Sequence, residues 1–326
     1  MIIITGGAGF IGSNILASLA EASFDVVVCD TIDSNQKLKN IEKHNASDLV
    51  TPKALFNYLD RKKNIDFIIH MGANSSTTEN NIKKIFENNF NFSVNVWQFC
   101  SKKRIPLIYA SSAATYGDGT RGFDDDISKV NLNRYVPLNL YGWSKHLFDQ
   151  YALKMSKEKK SSPPFWSGFK FFNVYGPNEY HKGKMKSVVA TIFPKVKKNE
   201  TVNLFKSYNS KYKDGEQIRD FVYVKDCADV ILWFINNRPK CSIFNIGTGR
   251  GRTFLDLARS VFSALNLKPK IKYIEMPTNV KNQYQYFTQA KIKQLRKVGY
   301  TRKFTSLEKG INDYVKNYLC TNDRFR

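Results

Sequence analysis

A β-branched apolar run at residues 2–5 is followed by a glycine-rich segment and then by apolar residues at helical spacing over 12–21. A second apolar run at 25–30 is typical of a strand that is buried on both faces. Further strands are predicted at 66–73, 105–117 and 168–177, and helices at about 82–103 and 141–157. Strands that alternate with helices in this way predict an α/β fold with a doubly wound parallel sheet.

The alternation loosens after residue 177. The polar stretch 208–217 is predicted to be a surface loop, whereas 219–235 and 242–249 return to strand and helix patterns. We therefore expect a second, smaller α/β lobe that covers the edge of the sheet where ligands bind. The predicted division is a Rossmann-type nucleotide-binding lobe of residues 1–172 plus about 220–248, and a substrate lobe of about 173–219 plus 249–326.

Composition is that of a globular protein. The 326 residues are 42% hydrophobic and 24% charged. No apolar run is long enough to predict a membrane span, and the first residues do not resemble a signal sequence. Five scattered cysteines without a C-x-x-C pair favour a reducing, cytoplasmic location, and neither they nor the four histidines have metal-ligand spacing. We expect no bound metal.

The formal net charge of +23 is compatible with a polyanionic partner such as nucleic acid or a membrane surface. Lysine is, however, spread along the whole chain, and no zinc-finger, RNA-recognition or KH signature accompanies it. We therefore expect no nucleic-acid or membrane partner, and we attribute the charge to composition, with some benefit for an anionic small substrate.

Three glycines, Gly6, Gly9 and Gly12, lie between the first predicted strand and the first helix. In this position they permit a tight turn, the approach of a pyrophosphate to the backbone, and close packing of the helix on the sheet. The helix N-terminus then offers free N–H groups to the phosphates. Asp30 ends the second strand and suits a ribose 2′-hydroxyl, but the nearby Lys37 suits a 2′-phosphate. The sequence thus predicts a dinucleotide site and leaves NAD and NADP both open.

A Tyr-x-x-x-Lys pair, Tyr141 and Lys145, is predicted to lie one turn apart on a single helix. A lysine beside the phenol is expected to lower its pKa from about 10 toward neutrality. The phenolate would then remove the proton of an alcohol while a hydride leaves the same carbon. Ser112, at the end of the preceding predicted strand, is placed to hydrogen-bond the reacting oxygen. These three residues predict oxidation and reduction of an alcohol.

Five stretches in order along the chain, TGGAGFIGSN, SSAATYG, YGWSK, FNVYGP and RDFVYVKD, resemble the nucleotide-sugar epimerase branch of the extended short-chain dehydrogenase/reductase family. Within it, the stretches at 72–79, 109–118, 171–188 and 284–300 are similar to the ADP-heptose 6-epimerases. The resemblance implies an isomerase that oxidises C6″ of ADP-D-glycero-D-manno-heptose with tightly held NADP and reduces the ketone from the opposite face. It also implies a role in lipopolysaccharide inner-core synthesis and a homo-oligomer, with a pentamer as the expected form.

The same resemblance assigns roles to individual residues. It implies Ser112, Tyr141 and Lys145 as the active-site trio and Lys182 as a second acid/base. Besides Gly6, Gly9, Gly12 and Asp30, the implied cofactor contacts are Phe10, Ile11, Lys37, Lys53, Met71, Gly72, Ala73, Asn74, Ser75, Asn88, Tyr141, Lys145, Val174 and Lys182. The implied substrate contacts are Ser112, Asn173, Lys184, Thr191, Phe205, Lys206, Ser207, Tyr208, Arg219 and Tyr284. Arg219 is suited to bind a pyrophosphate because its planar guanidinium can donate hydrogen bonds to two phosphate oxygens at once.

Three other functions use a similar fold. A sugar 4,6-dehydratase needs acidic residues after the active-site serine, where this chain has Ala113 and Ala114, so dehydration is set aside. A UDP-hexose 4-epimerase stays open, although its single tyrosine base leaves the segment around Lys182 unexplained. A non-enzymatic NADP-sensing regulator would explain the charge of +23, but the complete active-site trio argues against it.

Overall fold

The structure is a computed structural model that describes residues 1–128, 131–281 and 284–326. The strands in these ranges are β1 (Ile2–Thr5), β2 (Val26–Cys29), β3 (Asp48–Val50), β4 (Phe67–His70), β5 (Leu107–Ser112), β6 (Trp166–Phe171), β7 (Asn173–Tyr175), β8 (Val202–Phe205), β9 (Ile218–Arg219), β10 (Phe221–Tyr223), β11 (Ser242–Ile246), β12 (Arg252–Thr253) and β13 (Ile271–Ile274). The α-helices are α1 (Phe10–Glu21), α2 (Asn35–Lys39), α3 (Leu55–Asp60), α4 (Ile82–Ile85), α5 (Phe92–Lys103), α6 (Leu140–Met155), α7 (Val188–Lys197), α8 (Val224–Asn237), α9 (Phe254–Ala264), α10 (Thr278–Lys281), α11 (Lys293–Lys297) and α12 (Leu307–Tyr314). None of these helices is long and apolar enough to cross a membrane.

Seven strands form one parallel sheet in the order β11-β6-β5-β4-β1-β2-β3. Every residue of β1 and β2 is buried, because helices cover both faces of a parallel sheet of this kind. The order from β3 to β6 is the one found in Rossmann dinucleotide-binding sheets. The predicted doubly wound, Rossmann-type sheet is therefore confirmed.

The predicted elements are present, but several of their ends differ. Helix α1 begins at Phe10, two residues before the predicted start at residue 12, and Gly9 is its N-cap. The predicted strand 168–177 is interrupted at Phe172, since β6 stays in the main sheet while β7 pairs with β10. The helix predicted at about 82–103 contains a π-helical segment, Phe86–Asn91, between α4 and α5.

Three hydrophobic clusters form the interior. The first lies on the face of the sheet covered by α1 and α8 and includes Ile4 and Leu16. The second lies on the opposite face, under α5 and α6, and includes Ile3 and Trp97. Ile3 and Ile4 enter different clusters because successive strand residues point to opposite faces. The third cluster joins α7, β8, α9 and α12, so the C-terminal helices have a core of their own beside the sheet.

Candidate active site

The glycine-rich loop joins β1 to α1 at the carboxyl edge of the sheet. Gly6 has a φ of +67°, and a Cβ there would lie 2.6 Å from the backbone nitrogen of Gly72. A Cβ on Gly12 would lie 2.0 Å from the carbonyl oxygen of Gly6. Both positions therefore require glycine, the first for its turn and the second for close packing. At Gly9 a Cβ would have one described neighbour within 4 Å, the Gly6 oxygen at 3.1 Å, so this side of the loop is open to a ligand.

Asp30 connects the end of β2 to this loop. Its carboxylate accepts hydrogen bonds from the backbone N–H groups of Ala8 at 3.0 Å and Thr31 at 2.7 Å. The ammonium of Lys37 lies 3.3 Å from the same carboxylate and donates to the carbonyl of Thr31 at 3.0 Å. The structure therefore brings Asp30 and Lys37 together, at the edge where this type of sheet binds the adenosine ribose of a dinucleotide.

A hydrogen-bond network connects the loop after β4 to α6. Asn89, buried in the π-helical segment, accepts from the backbone N–H of Asn74 at 2.7 Å and donates to its carbonyl at 3.0 Å. It also donates to the hydroxyl of Ser144 at 3.0 Å, and Ser144 donates to the carbonyl of Tyr141 at 2.8 Å. The predicted contact Asn88 is exposed and bonds within its own helix. Sequence reasoning missed Asn89, because a π-helical turn changes which residue faces inward.

Tyr141 lies in the first turn of α6, whose N-cap Asn139 accepts a hydrogen bond from the backbone N–H of Gly142 at 2.8 Å. Ser112 is the last residue of β5; its hydroxyl accepts from the backbone N–H of Ala114 at 3.1 Å and acts to lower the pKa of the Tyr141 phenol. Burial raises the pKa of Tyr141, and the effect of Ser112 opposes this only in part. The net shift of the Tyr141 pKa is thus opposite to the lowering expected for a phenol beside a lysine, since desolvation of the phenol is the larger effect.

Lys145 follows Tyr141 by one helical turn and is 3% exposed. Burial lowers the pKa of its ammonium to about 8, while Asp149 acts in the opposite direction. No hydrogen bond joins this nitrogen to any part of the chain that the structure describes. A buried amine with free donors is suited to bind a hydroxyl group of a ligand. We call Ser112, Tyr141 and Lys145 the tyrosine half of the site.

A buried ion pair between α6 and β6 lies behind the tyrosine half. Asp149 and Lys170 are 0% and 1% exposed, and their charged atoms are 2.6 Å apart. Asp149 also accepts hydrogen bonds from the hydroxyls of Ser111 at 2.7 Å and Tyr109 at 3.1 Å. Lys170 donates to Thr115 in the turn that follows β5. The pair thus fixes α6 to the strand end that carries Ser112, a role that the sequence did not reveal.

The second predicted acid/base, Lys182, lies in an irregular segment between β7 and α7 that we call the lysine half, residues 176–187. It occupies a 3₁₀ turn, Tyr180–Met185, and is half-buried, with its ammonium 5.3 Å from the centre of the Phe10 ring. Burial lowers the pKa of this ammonium, and Glu179 acts in the opposite direction. Since Phe10 begins α1, Lys182 lies on the same edge of the sheet as the glycine-rich loop.

Glu179 is a buried carboxylate at the base of the lysine half. It accepts hydrogen bonds from the hydroxyls of Ser187 at 2.6 Å and Tyr314 at 3.1 Å. Ser187 is the N-cap of α7, and Tyr314 belongs to α12. Burial raises the pKa of Glu179, and the bonds from Ser187 oppose that rise. Glu179 therefore links the segment to two helices of the C-terminal core, another role that sequence reasoning missed.

Arg219, at the end of β9, is 8% exposed and donates to the carbonyl of the preceding residue at 2.8 Å. Its guanidinium carbon lies 5.2 Å from the ring centre of Tyr284 and 5.5 Å from that of Phe254. Tyr284 packs against Tyr286 at 5.2 Å, and the hydroxyl of Tyr286 accepts from the N–H of Tyr208 at 3.1 Å. In the described ranges no carboxylate pairs with this guanidinium, so it is suited to an anionic ligand.

The remaining predicted residues lie around these groups with fewer contacts. Ile11, Met71 and Val174 pack against the core beneath the glycine-rich loop, and Ala73 is half-buried. Phe205 ends β8, and Lys206 and Ser207 follow it, with Lys206 paired to Glu275 at 2.6 Å. The structure leaves several predicted contacts exposed, namely Lys53, Ser75, Asn88, Asn173, Lys184, Thr191 and Tyr208.

Comparisons with known proteins add independent information. The model of the NAD dependent epimerase/dehydratase family matches residues 2–247. A Fusobacterium nucleatum protein named ADP-L-glycero-D-manno-heptose-6-epimerase is 46% identical and is aligned over 100% of both chains. A protein of the same name from Nitratidesulfovibrio vulgaris is 41% identical, again over 100% of both chains. The crystal structure of the Helicobacter pylori ADP-L-glycero-D-manno-heptose-6-epimerase superposes with a TM-score of 0.81, at 29% identity, over 97% of this chain and 95% of that chain.

Proposed function

Because the chain belongs to the NAD dependent epimerase/dehydratase family, and within it to the ADP-L-glycero-D-manno-heptose-6-epimerases, we propose that it inverts C6″ of ADP-D-glycero-D-manno-heptose. The product is ADP-L-glycero-D-manno-heptose, a precursor of the lipopolysaccharide inner core. The structural observation that carries the proposal is a half-buried amine beside the glycine-rich loop, apart from the tyrosine half. Lys182 lies against α1 with a lowered pKa, in a chain whose lysines are mostly exposed.

The proposed mechanism uses two acid/base groups on opposite sides of one carbinol carbon. A bound nicotinamide would supply the hydride exchange at that carbon. Tyr141 takes the hydroxyl proton during oxidation while Ser112 binds the oxygen, and Lys182 donates a proton to the oxygen during reduction. Each turnover thus moves one proton from Lys182 to Tyr141, and exchange with water resets both groups. The reaction has no net oxidation.

Two bases are needed because the ketone must present both faces to the same hydride donor. Phe10, beside Lys182, follows β1, whereas Ser112 ends β5, and β4 lies between these strands. Two strand spacings separate the halves by about 10 Å, which leaves room for a nicotinamide ring and a sugar carbon. Lys145, which is buried and has no hydrogen bond to the described residues, is suited to hold the ribose of the cofactor.

We propose that Arg219 and Tyr284 bind the ADP part of the substrate. The buried guanidinium has free donors for the pyrophosphate, and the aromatic ring beside it provides a surface for the sugar or the adenine. The expected result of Arg219→Met is a large rise in KM with a smaller change in kcat, because the pyrophosphate is remote from the reacting carbon.

The family uses a nicotinamide cofactor, and we propose NADP as the form bound here. Lys37 provides a cation for a 2′-phosphate, while the Asp30 carboxylate already accepts two backbone N–H groups. Mass spectrometry of the cofactor that co-purifies tests this choice directly. Lys37→Ala is expected to weaken NADP binding more than NAD binding, and the reverse result would favour NAD.

The central test is epimerisation of ADP-D-glycero-D-manno-heptose by the purified holoenzyme, followed by separation of the two epimers. Tyr141→Phe and Lys182→Met should each lose about 10²- to 10⁴-fold in kcat while retaining bound cofactor. Lys195→Met, an exposed lysine on α7, is the matched control and should keep its activity. Full activity of Lys182→Met would rule out the two-base scheme, and turnover of UDP-galactose in place of the heptose would favour a UDP-hexose 4-epimerase.

We also propose that the protein is a cytoplasmic homo-oligomer, with a pentamer as the form implied by the family resemblance. The five cysteines are free thiols, which suits a reducing compartment. Light scattering of the purified holoenzyme measures the number of chains. A mass equal to one chain would contradict the proposed assembly.

A further inference from the structure

The lysine half is held in place by side chains from distant parts of the chain. Asn40, which follows α2, donates to the carbonyl of Asn178 at 3.1 Å and lies 3.3 Å from a ring nitrogen of His181. Asn14 of α1 donates to the carbonyl of Pro177 at 3.0 Å. These contacts connect the first residues of the lysine half to α1 and to the chain just after α2.

Residues 324–326, which we call the C-terminal clasp, add a second set of contacts to the same segment. The carbonyl of Arg324 accepts from the hydroxyl of Tyr180 at 2.7 Å. The ring of Phe325 meets the ring of Tyr180 edge-on, with centres 5.2 Å apart at 83°. The backbone N–H of Arg326 donates to the side chain of Asn178 at 2.9 Å. The clasp thus contacts residues on the N-terminal side of Lys182.

The side chain of Arg326 joins the clasp to α1. Its guanidinium donates to the carbonyl of Asn14 at 3.3 Å, to the hydroxyl of Ser18 at 2.9 Å and to Glu21 at 3.0 Å. The clasp therefore bridges the helix that begins at Phe10 and the turn whose lysine lies over the ring of Phe10. The C-terminal clasp therefore fixes both the turn that contains Lys182 and α1, the helix against which the Lys182 ammonium lies.

We propose that the C-terminal clasp is a positioning element that keeps Lys182 seated over Phe10, an inference that rests on the proposed role of Lys182 as the second acid/base. The turn has no long hydrogen-bonded helix to hold it, and Asn178 and Gly183 on either side of Lys182 have φ values of 72° and 54°. Without the clasp this turn is free to relax, and a displacement of about 1 Å at a reacting group can cost about 10²-fold in rate.

The first test compares clasp variants of the holoenzyme with Lys182→Met. Arg326→Ala, Phe325→Leu and deletion of residues 324–326 should lower kcat for epimerisation by about 10- to 100-fold, with KM for the ADP-heptose and cofactor content unchanged. In the clasp variants, the absorbance of reduced nicotinamide that appears when substrate is added should persist, because the tyrosine half can still oxidise the substrate. Arg324→Ala is the matched control, since it keeps the backbone carbonyl that binds Tyr180 and should keep wild-type kcat.

The second test measures the environment of Lys182 without activity. Acylation by an amine reagent is followed residue by residue with mass spectrometry, and exposed Lys184 in the same turn serves as the internal reference. In the clasp variants Lys182 should react at a rate approaching that of Lys184, while buried Lys145 stays unreactive. Should the deletion unfold the protein, Phe325→Leu provides the comparison, because Arg326 still binds α1.

The outcomes separate the two proposals. Clasp variants with unchanged kcat and unchanged reactivity of Lys182 would overturn the role of the clasp, even if Lys182→Met is inactive. A fully active Lys182→Met would instead overturn the proposed acid/base role of that lysine. A loss of kcat together with a loss of bound cofactor would show that the clasp stabilises α1 in general, and would also overturn the positioning role.

Discussion

The two halves of the candidate site are built in different ways. In the tyrosine half, Ser112 ends a central strand, Tyr141 and Lys145 share a helix, and a nearly fully buried ion pair lies behind them. The lysine half is an irregular segment held by single hydrogen bonds from α1, the loop after α2 and the C-terminal clasp. Such bonds contribute about 1 kcal/mol each, so the first half depends on the core and the second on a few removable contacts.

This difference matches the demands of the proposed reaction. The hydride is exchanged at one fixed position, so the group nearest the nicotinamide has to be rigid. The ketone has to present its other face in the second hydride transfer, so the opposite group lies in a separate segment, which contacts of its own have to hold in place. Mutations in and behind the tyrosine half should therefore change global stability, whereas mutations in the lysine half should change stability only locally.

The largest expected effect on stability is in the ion pair behind the tyrosine half. Asp149→Ala leaves the ammonium of Lys170 buried without its partner, which should cost about 3–5 kcal/mol of unfolding free energy in urea denaturation. The control is Lys103→Ala, which removes an exposed pair with Asp60 and should cost less than about 1 kcal/mol. Equal losses of unfolding free energy in the two variants would contradict the expected difference between a buried and an exposed ion pair.

The next largest effect concerns Lys145. Burial depresses its pKa from 10.5 to about 8, so the unfolded chain binds more protons between these values and the stability of the wild type rises across that window. Lys145→Met should remove this penalty and stabilise the protein by about 3 kcal/mol at pH 7, with the gain disappearing as the pH approaches 10.5. Denaturation curves at several pH values check this, and activity should be lost throughout.

If Lys145→Met stabilises the protein equally at every pH, or not at all, the buried ammonium is not the source of the stability penalty. Lys195→Met, on the exposed surface of α7, is the control and should change stability by less than about 0.5 kcal/mol at any pH.

The smallest effect is expected in the lysine half. Tyr180→Phe removes the hydrogen bond to the Arg324 carbonyl but keeps the ring packed against Phe325, and should cost about 0.5–1.5 kcal/mol locally. Hydrogen exchange should quicken at residues 178–186 with little change in the global unfolding midpoint. A uniform loss of protection across the main sheet would show instead that this half is part of the core.

Much of the tyrosine half could be predicted because its signals are local. The glycine spacing between a strand and a helix, and the Tyr-x-x-x-Lys spacing within one helix, each lie within a short stretch of chain. The motifs also identified the nucleotide-sugar epimerase branch, which the full-length relatives confirm. Asn89 and Glu179 could not be found in this way, because their partners are 15 residues away at Asn74 and 135 residues away at Tyr314.

The sequence by itself determined the alternation of strands and helices, and hence a parallel sheet with its glycine loop, Ser112 and Tyr141 at one edge. These features follow from residue periodicity and from the handedness of the crossovers. Only the tertiary structure decided that Lys182 is half-buried beside Phe10 instead of one more exposed lysine, and that the pKa of Tyr141 is raised. The reason is physical: burial depends on neighbours that are distant along the chain, and no local pattern encodes how much water they exclude.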